Sequence, residues 1–150
     1  RWLEEGASTL WEQWDGNASR NHIMFGHISA WFYQTLAGIN PDPEAVGFKH
    51  IIVRPQLLGN VKWARAEHES MYGTIQSAWE IRDGKFHLKI AVPVNTTATV
   101  YVPCDQQKPV AEGSGSTYQA DHARFLRGAG NCAVFEVESG TYEFVSQLSR

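Results

Sequence analysis

Two apolar runs of period two, joined by Asp83-Gly84, constrain this chain more than any other feature. Before the dipeptide, Ile75, Ser77, Trp79 and Ile81 alternate with Thr74, Gln76, Ala78 and Glu80; after it, Phe86, Leu88, Ile90 and Val92 alternate with His87 and Lys89. Period-two alternation sends successive side chains to opposite faces of a strand. Asp-Gly supplies the positive φ values that a two-residue hairpin turn demands. The pattern continues along the chain. Residues 48–54 are β-rich and stop at Pro55, residues 61–70 form a mixed polar strand, and Ala98, Val100 and Val102 alternate after a turn at Asn95. Ala133, Phe135 and Val137 form another strand, and Ser139-Gly140 turns into a last one carrying Tyr142 and Phe144. Residues 105–131, with Gly113-Ser114-Gly115-Ser116 and Gly128-Ala129-Gly130, read as loop. About seven or eight short antiparallel strands, each apolar on one face, must cover those faces mutually, and a β-sandwich is the natural solution. Trp63, Trp79, Phe86 and Phe135 are assigned to its core, where large aromatics more often lie.

Upstream of about residue 47 the period changes. Residues 1–5 read as the end of a helix that Gly6 terminates. Residues 7–18 lack helical spacing and contain the turn Asp15-Gly16-Asn17. Ser19 is a candidate N-cap. Beyond it Met24, Ile28, Trp31, Phe32 and Thr35 recur at helical spacing, with Leu36 widening the stripe, so a helix is expected over 19–37, stopping at Gly38. Asn40-Pro41-Asp42-Pro43 is a break. The expected fold is mainly β, an antiparallel β-sandwich preceded by a helical segment, divided into 1–46 and 47–150.

Composition excludes several function classes. A net charge of -3 and the absence of a basic run leave no electrostatic footprint for nucleic acid. No apolar stretch approaches the length of a membrane span. The two cysteines, Cys104 and Cys132, make no disulfide framework and read as small buried hydrophobes, although they could pair. His22 and His27, five apart, fall on different faces of a helix, and no metal-ligand spacing occurs. The N-x-S/T matches at Asn17 and Asn95 read as turn chemistry. A start at Arg1 suggests an excerpt or a processed product, and the compartment stays open between periplasm, cytoplasm and secretion.

Four of the six tryptophans lie between Trp2 and Trp31, and Glu12 sits between Trp11 and Trp14. A carboxylate framed by indoles is a familiar arrangement in sugar-processing sites, because indole faces stack on the apolar faces of pyranose rings. Taken alone, Glu12 reads first as a surface acid in an irregular segment.

Several spaced blocks agree in order with one family. They are Gly6-Ala7-Ser8-Thr9-Leu10-Trp11-Glu12-Gln13-Trp14, then Asn21-His22 with Met24-Phe25-Gly26, Ala30-Trp31-Phe32-Tyr33, Leu36-Ala37-Gly38-Ile39, and Pro41-Asp42-Pro43-Glu44 through Pro55. Trp63-Ala64 and Ser70-x-Tyr72-Gly73 continue the pattern more weakly. In these blocks the chain resembles bacterial α-L-rhamnosidases of the large inverting class, over about residues 1–103. The resemblance implies that 1–46 closes an α/α-barrel catalytic domain and that 47–150 is the C-terminal β-sandwich after it. It implies that Glu12 is the catalytic base and that His22 contacts the sugar, with Trp14 as a second substrate contact. The implied substrate is a rhamnose-containing glycoside or polysaccharide, hydrolysed with inversion and without cofactor or metal. Ser8 stands where the family commonly has threonine, and the loop between Asp15-Gly16 and Asn21-His22 is short, which alters the aglycone side. The family's general acid comes from earlier in the barrel, so this chain alone is expected to be inactive, its partner being the missing N-terminal part of the parent enzyme. The alternatives are a carbohydrate-binding β-sandwich without catalysis, marked by a row of exposed aromatics, and a purely structural module. The helix at 19–37 carries more apolar surface than one contact can cover, which points to a homo-oligomer formed through it.

Overall fold

The structure, a computed structural model, describes residues 1–105, 110–112, 115, 116 and 123–148. The chain forms two compact units, Arg1–Phe32 and Tyr33–Arg150.

The first unit opens with a single helical turn. The Glu5 N–H donates to Arg1 O at 3.0 Å, Gly6 N–H to Leu3 O at 3.1 Å and Ala7 N–H to Trp2 O at 2.9 Å. The last two bonds, with Gly6 at φ 78°, make a Schellman ending, as expected of a glycine stop. Helix α1 spans Ile23–Trp31. It starts four residues later than the sequence suggests, with His22 rather than Ser19 at the capping position and no side-chain cap bond. The cause is a competing pairing. Ser19 O accepts the Glu12 N–H at 2.8 Å, and the His22 N–H donates to Leu10 O at 2.8 Å, so residues 19–22 lie alongside 10–12 and cannot also wind. From Phe32 to Leu36 the helix continues as a π-helix. Gly38 ends it at φ 78°, where the sequence places the stop.

The second unit is a β-sandwich of two sheets. Strands run in order β1 (Ile39–Pro41), β2 (His50–Val53), β3 (Trp63–Ser70), β4 (Gly73–Arg82), β5 (Lys85–Val92) and β6 (Thr97–Pro103). They continue with β7 (Ala111–Glu112), β8 (Gly115–Ser116), β9 (Ala123–Ala129), β10 (Cys132–Val137) and β11 (Gly140–Gln147). One sheet has the order β1-β2-β6-β10-β9, the other β3-β4-β5-β11-β7-β8. Asp83 and Gly84 both take positive φ, 52° and 72°, and close the β4–β5 hairpin. Alternation buries Ile75, Trp79, Phe86, Leu88, Ile90 and Phe144 from the second sheet against Ile51, Val53, Val100, Val102 and Phe135 from the first. Phe135 and Phe144 stand 5.2 Å apart between ring centroids. Ser146 Oγ donates to Pro103 O at 2.5 Å, pairing a buried hydroxyl. Cys104 and Cys132 are free thiols, and burial pushes both above the ordinary thiol range.

Four details depart from the sequence reading. Residues 39–41, read as part of a break, pair with β2 as β1, because Ile39 has a core position to fill. Strand β2 pairs with β6 in parallel rather than antiparallel fashion, and His50 bridges the pair, its ring nitrogens 2.6 Å and 2.8 Å from the hydroxyls of Thr97 and Thr99. Strands β7 and β8 lie inside the stretch read as loop, and so does β9. Its alternation is hidden because the register with β10 shifts at Val134/Phe135, while Gly113-Ser114 falls outside the described residues. Trp63 is 69% exposed instead of buried, unlike Trp79, Phe86 and Phe135. It pairs with Glu80 across the β3–β4 ladder, and Glu80 points away from the side that Trp79 and Ile81 share.

The end of the π-helix is fixed to the sandwich by two side chains of β4. Trp79 Nε1 donates to Leu36 O at 2.7 Å and Ser77 Oγ to Ala37 O at 2.7 Å. The next residue, Gly38, lies against backbone: a Cβ there would sit 2.2 Å from Pro55 N and 2.3 Å from Arg54 C. Gly38→Ala therefore adds a steric clash to an unfavourable φ, and we expect the folded chain to lose about 3 kcal/mol or more in urea denaturation. A loss below about 1 kcal/mol, the range of ordinary tolerated changes, would show that this joint is not rigid.

Candidate functional site

Glu12, Trp14 and His22 all lie in the first unit, in the irregular segment and at the start of α1. Two backbone bonds, Glu12 N to Ser19 O and His22 N to Leu10 O, hold the strands of this segment side by side. They bring His22 Nδ1 to 3.7 Å from Glu12 Oε2. The same oxygen accepts the Ser19 N–H at 3.3 Å. The side chains keep 42% (Glu12) and 24% (His22) of their surface exposed, so the pair is formed at an open face rather than inside a core. The His22 ring is tilted against Phe25, with centroids 4.9 Å apart, which limits its rotation.

The two tryptophans flanking Glu12 have different jobs. Trp11 is buried. Trp2 lies 6.2 Å from it, the Arg20 guanidinium stacks over it at 4.7 Å, and Gly16 lies beneath it. A Cβ on Gly16 would come to 2.7 Å of Trp11 Cζ3, and Gly16 itself has φ 72°, so the turn after Asp15 needs glycine on both counts. Arg20 Nε also donates to Gly16 O at 3.2 Å. Trp14 stacks on Trp2 with centroids 4.3 Å apart and remains 68% exposed. One indole face is thus occupied while much of the ring stays in water. Asp15 closes the turn by accepting the Asn17 N–H at 3.0 Å, and that bond holds its carboxyl below the usual range.

The sequence reading singled out Glu12, His22 and Trp14, and used Trp11 only as the other indole flanking the acid. It missed Arg20 and Trp2, which hold the segment; no spacing signal marks either. It also set His22 and His27 on different helix faces. Because His22 precedes the helix, both instead line one depression of about 370 Å³, together with Thr9, Asn21 and Gly26. Glu12 is not part of that lining.

The chain has clear counterparts among known proteins. The family model described as the bacterial alpha-L-rhamnosidase C-terminal domain matches residues 38–117, and that of the bacterial alpha-L-rhamnosidase 6 hairpin glycosidase domain matches residues 1–36. The chain belongs to the bacterial α-L-rhamnosidase family. An alpha-L-rhamnosidase of Streptomyces avermitilis is 35% identical over 95% of this chain and 14% of its own length. One from Formosa agariphila is 27% identical over 98% of this chain and 17% of its own. The crystal structure of the Streptomyces avermitilis enzyme complexed with L-rhamnose superposes with a TM-score of 0.77 at 34% identity, over 97% of this chain and 14% of that one. The alpha-L-rhamnosidase from Dictyoglumus thermophilum gives 0.73 at 33% identity, over 96% of this chain and 16% of that one. The chain therefore spans about one seventh of the length of the relatives it matches.

The unequal burial of the two indoles has a measurable consequence. Trp11→Ala removes a buried ring with its cation contact and should cost about 3–5 kcal/mol, whereas Trp14→Ala should cost about 1 kcal/mol or less. Urea unfolding of the first unit, followed by hydrogen exchange of α1 amides, checks this. Equal costs would contradict the division of roles.

Proposed function

We propose that the chain is the C-terminal part of an inverting α-L-rhamnosidase that releases terminal L-rhamnose from a glycoside or polysaccharide. Residues 1–46 would close the helical catalytic barrel and 47–150 form the sandwich that follows it. Glu12 is the general base, and His22 and Trp14 contact the sugar. The observation that supports this best is the 3.7 Å approach of His22 Nδ1 to Glu12 Oε2 on an open face.

The chemistry follows from the geometry of inversion. Water attacks the anomeric carbon from the face opposite the leaving oxygen, so one carboxylate takes the water's proton while a second carboxylic acid protonates the leaving group, the two standing about 6.5–9.5 Å apart. Glu12 has one oxygen engaged by the Ser19 N–H, which leaves the other to orient water. His22, positioned by Leu10 and Phe25, would hydrogen-bond a ring hydroxyl and hold the anomeric carbon in line. The open side of Trp14 would take an apolar sugar face. The proton donor is supplied from outside these 150 residues, so the isolated chain should not hydrolyse an aryl α-L-rhamnoside. In the full-length enzyme Glu12→Gln should lower kcat about 10²–10⁴-fold with the fold intact. His22→Ala should raise KM and also lower kcat. Azide should restore turnover to Glu12→Ala and yield the rhamnosyl azide of inverted configuration. Near-normal turnover by Glu12→Gln would remove Glu12 from the mechanism.

The first unit's helix bears on the partner. No residue of α1 is buried, and Ile23, Met24, Phe25, Ile28 and Trp31 are all exposed. We assign this surface to the rest of the catalytic domain in the full-length protein. Each large side chain left in water forgoes about 1.5–3 kcal/mol relative to burial, so copies of the isolated chain should associate through it. Light scattering at micromolar concentration should report a dimer or larger. A strict monomer would mean that this face is not adhesive.

A further inference from the structure

We propose that the outer face of the six-stranded sheet carries a saccharide-binding groove, built wholly within the second unit and independent of the catalytic reading of Glu12. The strand register creates it. Trp63 on β3 lies opposite Glu80 on β4, and Glu80 opposite His87 on β5. In the neighbouring row Arg65 lies opposite Ala78, Ala78 opposite Lys89, and Lys89 opposite Glu143 on β11. Directly opposed residues share a face, so all of these point away from the core. Ala78 has only a methyl group where its neighbours have long side chains. The result is a depression of about 470 Å³, within the size range of small-ligand sites.

Its lining matches the two-sided chemistry of a pyranose. The ring's apolar C–H face needs a flat apolar platform, and Trp63, 69% exposed at the sheet edge, is one. The ring's hydroxyls each donate and accept, so they need groups of both kinds around that platform. Arg65 and Lys89 donate and Glu143 accepts; among the described residues none of the three has an ion-pair or hydrogen-bond partner for its side chain. Glu80 and Arg82, by contrast, hold each other at 2.9 Å. A lining of one sign would suit an anion, whereas this mixture suits neutral hydroxyls. His87 also lines the groove.

The test is NMR titration of the ¹⁵N-labelled 150-residue chain with L-rhamnose, D-galactose and D-glucose, and with D-galacturonate as the anionic comparison. The backbone amides of Ala78 and Lys89 should shift saturably with at least one neutral sugar. Trp63→Ala should weaken that binding about tenfold or more, the range expected for a lost aromatic contact. Arg65→Ala should weaken it too, and it decides the matter if Trp63→Ala fails to fold. Unmoved amides at 78 and 89 with every sugar would overturn the proposal, as would an unchanged response in the variants. A response to D-galacturonate alone, insensitive to Trp63→Ala, would overturn it in favour of an anion site. Shifts confined to residues 9–27 would report the Glu12 region instead and count against this groove.

Discussion

The second unit depends on how it takes hold of the incoming chain. A helix end exposes carbonyls that have no partner within the helix, and burying them unpaired is expensive. Here the carbonyls of Leu36 and Ala37 meet Trp79 Nε1 and Ser77 Oγ, two inward-facing donors on one strand of the sandwich. Ser77 is fully buried, an odd choice for a core position until its acceptor is seen. Once these carbonyls are held, Gly38 has to turn within touching distance of the Arg54–Pro55 backbone, and its O accepts the Arg54 N–H at 2.8 Å. That bond sets the start of the β1–β2 pair, whose register runs Ile39 opposite Val53. Strand β2 then guides the parallel addition of β6. A few polar contacts thus decide which segment lines the edge of the first sheet, and hydrophobic alternation completes the remainder.

The first unit solves a different problem, placing polar groups at a surface without a sheet or long helix to carry them. It uses short backbone pairing between 10–12 and 19–22, tightened around one buried indole. Trp11 acts as the pin: Arg20, Trp2 and Gly16 surround it, and the paired segments bring the side chains of Glu12 and His22 within 3.7 Å of each other. An acid next in sequence to a buried tryptophan is thereby held at the surface with one carboxylate oxygen already bound.

The sandwich was largely legible because its signals are local. Period-two alternation, the Asp83-Gly84 turn and the glycine stops at Gly6 and Gly38 each express a conformational preference of a few residues, and all appear where the sequence puts them. What escaped was non-local. The late start of α1 follows from competition for the Ser19 backbone by Glu12, seven residues away. The strand at 123–129 was hidden by a register shift against β10. The parallel β2–β6 pair joins residues about fifty apart in sequence, and no turn residue announces such a pairing. At the candidate site the sequence named the acid, the histidine and the open tryptophan. No spacing signal says that the other flanking indole, Trp11, is the buried one, since both flank the same glutamate.

The same parity rule that builds the core also explains the most misleading aromatic. A strand has two faces, and composition alone does not say which one a tryptophan takes. Trp79 and Trp63 sit on adjacent strands, yet Trp79 opposes Ala64 and Trp63 opposes Glu80. One residue of displacement in register moves an indole from the most buried layer to open solvent. Frequency favours the core for any large aromatic, but the deciding information is the partner across the ladder. Glu80 lies between Trp79 and Ile81, whose side chains face the core side, so whatever pairs with Glu80 must face outward. An exposed tryptophan set by register is a fixed feature of the sheet, held in place by the hydrogen bonds that define β3 and β4. Its position on the outer face, opposite Glu80, is therefore as much a property of the fold as the core itself.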